Sequence, residues 1–422
     1  MTHLRVLIFV AFACSAFAAP PHHHATVDSA LAQAHALLTG RFLCPEGLFW
    51  DYVGEIPTPQ DCADGRPNAK GWNTPISNGP MFTGQYLWAM CIRAKRTGEK
   101  SDVDLCRRLA GGLIRAASVS DVKGMIVRGF ATDGRAHYPL GSDDQTLPWF
   151  LGLHAWVRSG FPSADEKAAA IEKMTEAIDA FVANGWRPLS DGAFKGMPYG
   201  CMKRGAPFRS SVGCLYIMRA MDELTGDGKW RRRYAAALTE CPSPGRRDDL
   251  TRAAACEAGY APDTAFLNVE PGLLWIYTPS TLALKELCRM ETDPALRARY
   301  RKGLQANADR AAKFLAKGLT FANTRVETFK AANWRTGYTW EPQKTFADID
   351  RVNKSANPEI LGTRKQTERN VMVAPLSAAV MIACANDVSR RADVETLLRH
   401  FDYSVFNIVD FFLAETAWFA FD

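Results

Sequence analysis

Two kinds of block alternate along this chain. One kind is apolar nearly all round and covers residues 81–95, 147–158, 211–224, 272–290, 370–384 and 405–419. The other carries one apolar stripe against charged residues, over 27–38, 103–117, 164–183, 230–239, 295–317 and 390–399. A helix apolar on every side is a buried helix, and a striped one lies at a surface. Strand-type alternation does not recur over any useful length, so helices are predicted throughout.

The connections alternate too. Thr97-Gly98, Ser159-Gly160 and Thr225-Gly226 end three of the apolar blocks with the glycine that closes a helix in the left-handed region. Ser101-Asp102, Ser163 and Asp293-Pro294 then open the next helices. The other connections are long and rich in Pro, Gly, Asp and Trp, notably 42–77, 118–141, 184–208 and 318–366. Tight turns at one end and long loops at the other imply six antiparallel hairpins, with the buried helices inside and the striped ones outside. The predicted fold is all-α, an (α/α)6 toroid whose long loops gather on one face, as a single domain over 26–422. A right-handed helical solenoid uses the same pairing and is the alternative.

The first residues change the picture of compartment. A basic start at 1–5, an apolar run at 6–13 and the small-x-small pattern Ala16-Phe17-Ala18 form a secretory signal peptide over 1–18. Residues 19–25, with His22-His23-His24, are expected to be a disordered lead-in. The formal net charge is +6, and loss of Arg5 with the leader makes it +5. With no long basic run, nucleic acid is not an expected partner. No later apolar stretch reaches membrane-spanning length, so a secreted or periplasmic protein without a membrane anchor is expected.

Eleven cysteines, of which Cys14 lies in the leader, leave ten in an oxidising compartment. Cys44 with Cys62, Cys91 with Cys106, Cys201 with Cys214 and Cys241 with Cys256 are the suggestive pairs, and disulfides are expected in at least two. No CxxC occurs, and no His stands at zinc-ligand spacing from a Cys pair, so neither a metal nor another cofactor is expected.

Candidate chemistry concentrates in two neighbouring stretches. Gly141-Ser142-Asp143-Asp144-Gln145-Thr146-Leu147-Pro148-Trp149-Phe150 carries two adjacent carboxylates into the second inner helix, and Asp133-Gly134-Arg135-Ala136-His137-Tyr138 precedes it. Glycosidic hydrolysis needs one protonated and one ionised carboxyl group. Asp143 or Asp144 with Asp133 can supply them. An Asp at a helix start is also a natural cap, so one of the pair could serve the backbone alone. Loop aromatics, among them Trp72, Tyr199, Trp334 and Tyr338, offer flat faces to sugar rings, or else plug the mouth of the toroid.

The hairpin count, the three Gly-closed turns and the signal peptide resemble the six-hairpin glycosidase superfamily. Within it, Asp143-Asp144 followed by Trp149 resembles the adjacent Asp pair and aromatic of the secreted endo-α-1,6-mannanases. The resemblance implies an exported glycoside hydrolase acting on an oligo- or polysaccharide, with Asp143, Asp144 and Asp133 as catalytic candidates. Arg128, Arg135, Arg209, Trp72, Trp149, Tyr199, Trp334 and Tyr338 are its candidate substrate contacts. Two alternatives stay open. One is a polysaccharide lyase or uronate-specific hydrolase using His137 and Tyr138 with the arginines; the other is a glycan-binding toroid without catalysis.

Overall fold

The structure is a computed structural model. It describes residues 23–244, 249–260, 263–264, 267–268, 271–323, 333–357 and 368–422. The signal peptide expected over 1–18 lies outside them.

The protein is all-α. In chain order the helices are α1 (Val27–Leu37), α2 (Pro59–Asp64), α3 (Gly79–Thr97), α4 (Lys100–Ala116), α5 (Asp143–Ser159), α6 (Ala164–Ala183), α7 (Pro207–Thr225) and α8 (Gly228–Ala237). They continue with α9 (Arg252–Ala258), α10 (Thr278–Met290), α11 (Pro294–Ala311), α12 (Leu315–Leu319), α13 (Phe346–Lys354), α14 (Ala374–Cys384), α15 (Arg391–His400) and α16 (Leu413–Ala420). A short antiparallel pair, Asp263–Thr264 with Leu267–Asn268, is the only sheet among the described residues. Helices α2, α9 and α13 fall within stretches whose polarity had suggested loops only. The last apolar block is divided into a 3-10 turn, Val409–Phe412, and α16.

The apolar blocks pack against one another in chain order, and α5 also touches α10. Helix α3 contacts α5, α5 contacts α7, α7 contacts α10, α10 contacts α14, α14 contacts α16, and α16 returns to α3. Each has its own outer neighbour: α4 on α3, α6 on α5, α8 on α7, α11 on α10, α15 on α14 and α1 on α16. All eleven residues of α14 are buried, which explains why its sequence shows no polar face. Such side chains stabilise the core by roughly 1.5–3 kcal/mol for each large apolar residue removed from water.

Local signals set the ends of these helices. Gly98, Gly160 and Gly226 close α3, α5 and α7 with φ of 70°, 84° and 66°, in the left-handed region. Ser163 and Glu166 form a reciprocal capping box on α6, and Asp293 caps α11 ahead of Pro294. The expected Ser101-Asp102 cap is corrected: α4 starts at Lys100, and the buried Asp102 instead binds Arg93 at 3.1 Å and Thr97 at 2.8 Å.

Two further expectations change. The lead-in does not stay free through His24, whose N–H donates to the Arg399 carbonyl at 2.9 Å and whose ring meets Gln33 at 3.1 Å. None of the expected disulfides is present, and all ten described cysteines are free thiols. Cys44 and Cys62 lie in separate apolar clusters. Cys201 donates to the Gly185 carbonyl and Cys214 to that of Met202, while Cys241 turns to Asp249 and Cys256 is fully buried. Cys91 and Cys106 lie side by side between α3 and α4, and burial pushes the Cys91 thiol well up. Among the described residues no helix is long and apolar enough to cross a membrane.

Candidate active site

Helix α5 begins at Asp143, so both carboxylates occupy its first turn, where the helix dipole favours negative charge. Neither acts as a cap. Ser142 holds the N-cap position without a side-chain bond to the backbone, and its hydroxyl donates to Asp144 instead. The pair is thereby available for something other than closing the helix.

The two carboxyls have different surroundings. Asp143 is partly buried against Gly200 and accepts from the Cys201 N–H. Burial raises its carboxyl above the usual range and Asp144 adds to this, while Arg209 pulls the other way. Asp144 accepts from Gln145 at 3.2 Å and faces the Arg128 guanidinium at 4.0 Å.

Arg128 belongs to a buried polar network beneath the pair. Its Nε donates to the Ser77 carbonyl at 2.7 Å and its Nη2 to Asn78 Oδ1 at 2.9 Å. Gln145 donates to the same Asn78 oxygen at 3.0 Å and accepts the Met81 N–H at 3.1 Å. Asn78 in turn donates its backbone N–H and side-chain amide to fully buried Asp51, at 2.7 and 2.6 Å. The start of α3, the start of α5 and two loops are thus tied by bonds whose loss would strand buried polar groups, each costing about 1–3 kcal/mol.

Above this network lies a cavity of about 420 Å³. Met81, Leu147, Pro148, Ile276 and Pro279 give it an apolar wall; Asp143, Asp144, Arg204 and Arg209 give it a charged one. Trp275 also lines it, with an indole N–H that is buried and has no hydrogen-bond partner among the described residues.

Beside the carboxylates, Lys70 is almost fully buried, with its ammonium 4.1 Å from the Trp72 ring centre and 3.9 Å from that of Tyr199. Its ion partner is Asp350 on α13, at 3.7 Å. Burial brings the amine down to about 8. The two rings meet edge to face at 5.9 Å, and Tyr199 is close enough to both aspartates to feel their charge.

Asp143, Asp144, Arg209, Arg128, Tyr199 and Trp72 are therefore brought together as the sequence suggested. Lys70, Asn78 and Trp275 join them and were missed: a single Lys or Asn in a loop carries no periodic signal, and only tertiary burial reveals it.

The remaining candidates are corrected. Asp133 is exposed and binds the N–H groups of Arg135 and Ala136 at 3.0 and 2.8 Å, holding its own turn. Arg135 is exposed on that turn and does not line the cavity. His137 binds Asp191 at 2.8 Å, and Ser120 donates to the same carboxylate oxygen, which ties two loops together. Tyr138 is buried, donates to the Arg66 carbonyl and packs on Gly71. Trp149 is fully buried and donates to the Leu113 carbonyl at 2.7 Å; Trp334 is buried and donates to that of Glu55 at 2.7 Å. Tyr338 bonds Asn73 and so braces the Trp72 loop from outside the cavity.

No protein-family model, no curated protein and no solved structure matches this chain.

Proposed function

We propose that the protein is an exported carbohydrate-active enzyme, a glycoside hydrolase built on an (α/α)6 toroid of the six-hairpin glycosidase type. The chain-order packing of the six apolar helices, each with an outer partner and the last in contact with the first, supports the toroid. The observation that carries the activity is the Asp143 carboxyl, raised by burial at the rim of a 420 Å³ cavity and directly adjacent to Asp144.

Glycoside hydrolysis assigns different roles to its two carboxyls, and the pair here has different environments to match. Asp143, half-shielded from water, is the group that holds a proton for the departing glycosidic oxygen. Asp144, supplied with donors by Ser142 and Gln145 and faced by Arg128, acts as the carboxylate. The apolar wall of Met81, Leu147, Pro148, Ile276 and Pro279 takes the sugar's C–H faces. The lyase reading through His137 and Tyr138 loses its support, because one is bound to Asp191 and the other is buried under Gly71.

The test is a glycan panel in which reducing ends and the absorbance of unsaturated uronates are followed together. Hydrolysis produces reducing ends alone, and Asp143→Asn lowers the rate by about 10²–10⁴-fold. Reducing ends accompanied by unsaturated product overturn the hydrolase assignment, and binding without turnover makes the protein a glycan-binding toroid.

A further inference from the structure

Helix α10 begins at the Asp143 cavity, to which it contributes Pro279 and Ser280, and ends at a second and larger cavity of about 790 Å³. The second cavity lies between the last turns of α10, the face of α11 and the end of α14. Its walls carry Lys285, Arg289, Arg297, Arg301 and Lys302 against two carboxylates, Glu286 and Asp422.

The charges are unevenly compensated. Lys285 is paired with Asp422 at 2.8 Å, Arg289 with Glu286 at 2.8 Å, and Lys302 with Glu257 at 2.9 Å. Arg297 has its guanidinium fixed on a neutral acceptor, the Glu291 carbonyl, through Nε at 2.8 Å and Nη2. Among the described residues neither Arg297 nor Arg301 has a carboxylate within ion-pair distance. Glu286 is also engaged from the opposite side, by the Trp88 indole at 2.9 Å, and burial pushes its carboxyl up, which weakens it as a counter-charge. Arg301 instead lies against the Cys288 thiol.

We propose that this cavity is a second ligand site, for a small multivalent oxyanion carrying phosphate or sulfate groups. Guanidinium forks suit such groups because two N–H donors meet two oxygens at once. The fixed Arg297 has already lost the side-chain freedom that binding would otherwise remove. The volume exceeds what one inorganic ion fills, so the ligand has several charged groups or an organic body.

Calorimetric titration of the full chain at constant ionic strength tests this with two probes, inorganic pyrophosphate and sucrose octasulfate. Saturable binding of both means that the oxyanion itself is read; binding of the octasulfate alone identifies a sulfated sugar. Arg301→Gln, at an exposed position, is expected to weaken binding by about tenfold with the ligand-free melting temperature unchanged, whereas Arg209→Gln in the Asp143 cavity leaves it intact. Failure of both probes overturns the proposal, and so does equal binding by wild type and Arg301→Gln. Loss of binding in Arg209→Gln overturns it as well, by placing the anion in the other cavity. None of these outcomes depends on glycosidase activity.

Discussion

Gly200 lies so close to Asp143 that a Cβ built on it would stand 2.5 Å from Oδ1 and 2.8 Å from Cγ. Its φ of 95° is one that residues with side chains rarely adopt. The glycine thus lets the 199–201 loop lie directly on the carboxyl, where the next residue's N–H reaches it. Gly200→Ala pushes the carboxyl off that donor. A displacement near 1 Å costs about a hundredfold in turnover when the group acts in catalysis. Steady-state assay on the substrate found by the glycan panel reads this directly. Wild-type turnover in a folded Gly200→Ala protein would mean that the position of Asp143 is not used.

The raised Asp143 carboxyl also predicts how stability varies with pH. In the unfolded chain its pKa is near the ordinary 3.8, and in the folded protein it is higher. The folded state then binds the proton more tightly, so the stability from this group is complete below 3.8 and is lost as pH rises through the folded value. Asp143→Asn carries no such charge. It should melt above wild type at neutral pH, and the two melting curves should converge below about pH 4. The same substitution removes activity, so stability rises while function falls. Calorimetric scans from pH 3 to 7.5, using roughly the window in which carboxyls titrate, decide it. A constant gap across that range contradicts the buried-acid description.

His137 behaves in the opposite sense to a catalyst. Burial alone would lower its pKa, but the bond its ring N–H donates to Asp191, with smaller help from the Arg135 carbonyl and Asp121, raises it above 6.5. Its contribution to stability is therefore full below 6.5 and disappears as pH rises through the raised value. His137→Gln should lower the melting temperature more at pH 6 than at pH 8.5 and leave glycan turnover unchanged, two readouts obtained from one protein. A collapse of turnover with an unaltered melting profile would return His137 to the chemistry.

These cases mark what was legible in the chain. Helix positions followed from periodicity, because an all-apolar block such as 374–384 has no way to be stable except inside. Gly98, Gly160 and Gly226 identified the tight ends because their backbone geometry is local. The aspartate pair was found for the same reason, since its place at the start of α5 is a local fact. Partners drawn from distant loops were not legible. The density of charge at 133–138 suggested a site, yet Asp133 and His137 spend their polar atoms holding loops. Trp149 and Trp334 are buried while Trp72 is half-buried beside Lys70 and Tyr199, and nothing in the residue type separates a ring that plugs from one that could stack on a sugar. Lys70 carries no local signal at all, and its burial comes from nearby Trp72 and from Tyr199 and Asp350, which distant segments bring around it.

The joint that sets the aspartate turn is the contact between α3 and α5, and it depends on glycine. A Cβ at Gly84 would stand 1.9 Å from the Pro148 carbonyl oxygen, and one at Gly152 would stand 2.7 Å from the Gly84 Cα. Both obstacles are backbone, so no side-chain rotation relieves them. Gly84→Ala gains about 1 kcal/mol of helix propensity but forces two buried helices apart. Overpacking of a tight core costs about 1–3 kcal/mol and more where backbone must move, so the net effect is destabilising. Gly111 on α4 is the internal control, because a Cβ there meets nothing within 4 Å. Gly111→Ala should stabilise by about 0.5–1 kcal/mol. Opposite signs for one chemical change, measured by denaturant unfolding, show that the close approach is what matters. Because α5 carries Asp143 and Asp144 at its first turn, Gly84→Ala should also reduce turnover while Gly111→Ala leaves it unchanged. Equal stability of the two variants would mean that the helices do not approach as closely as Gly84 and Gly152 allow.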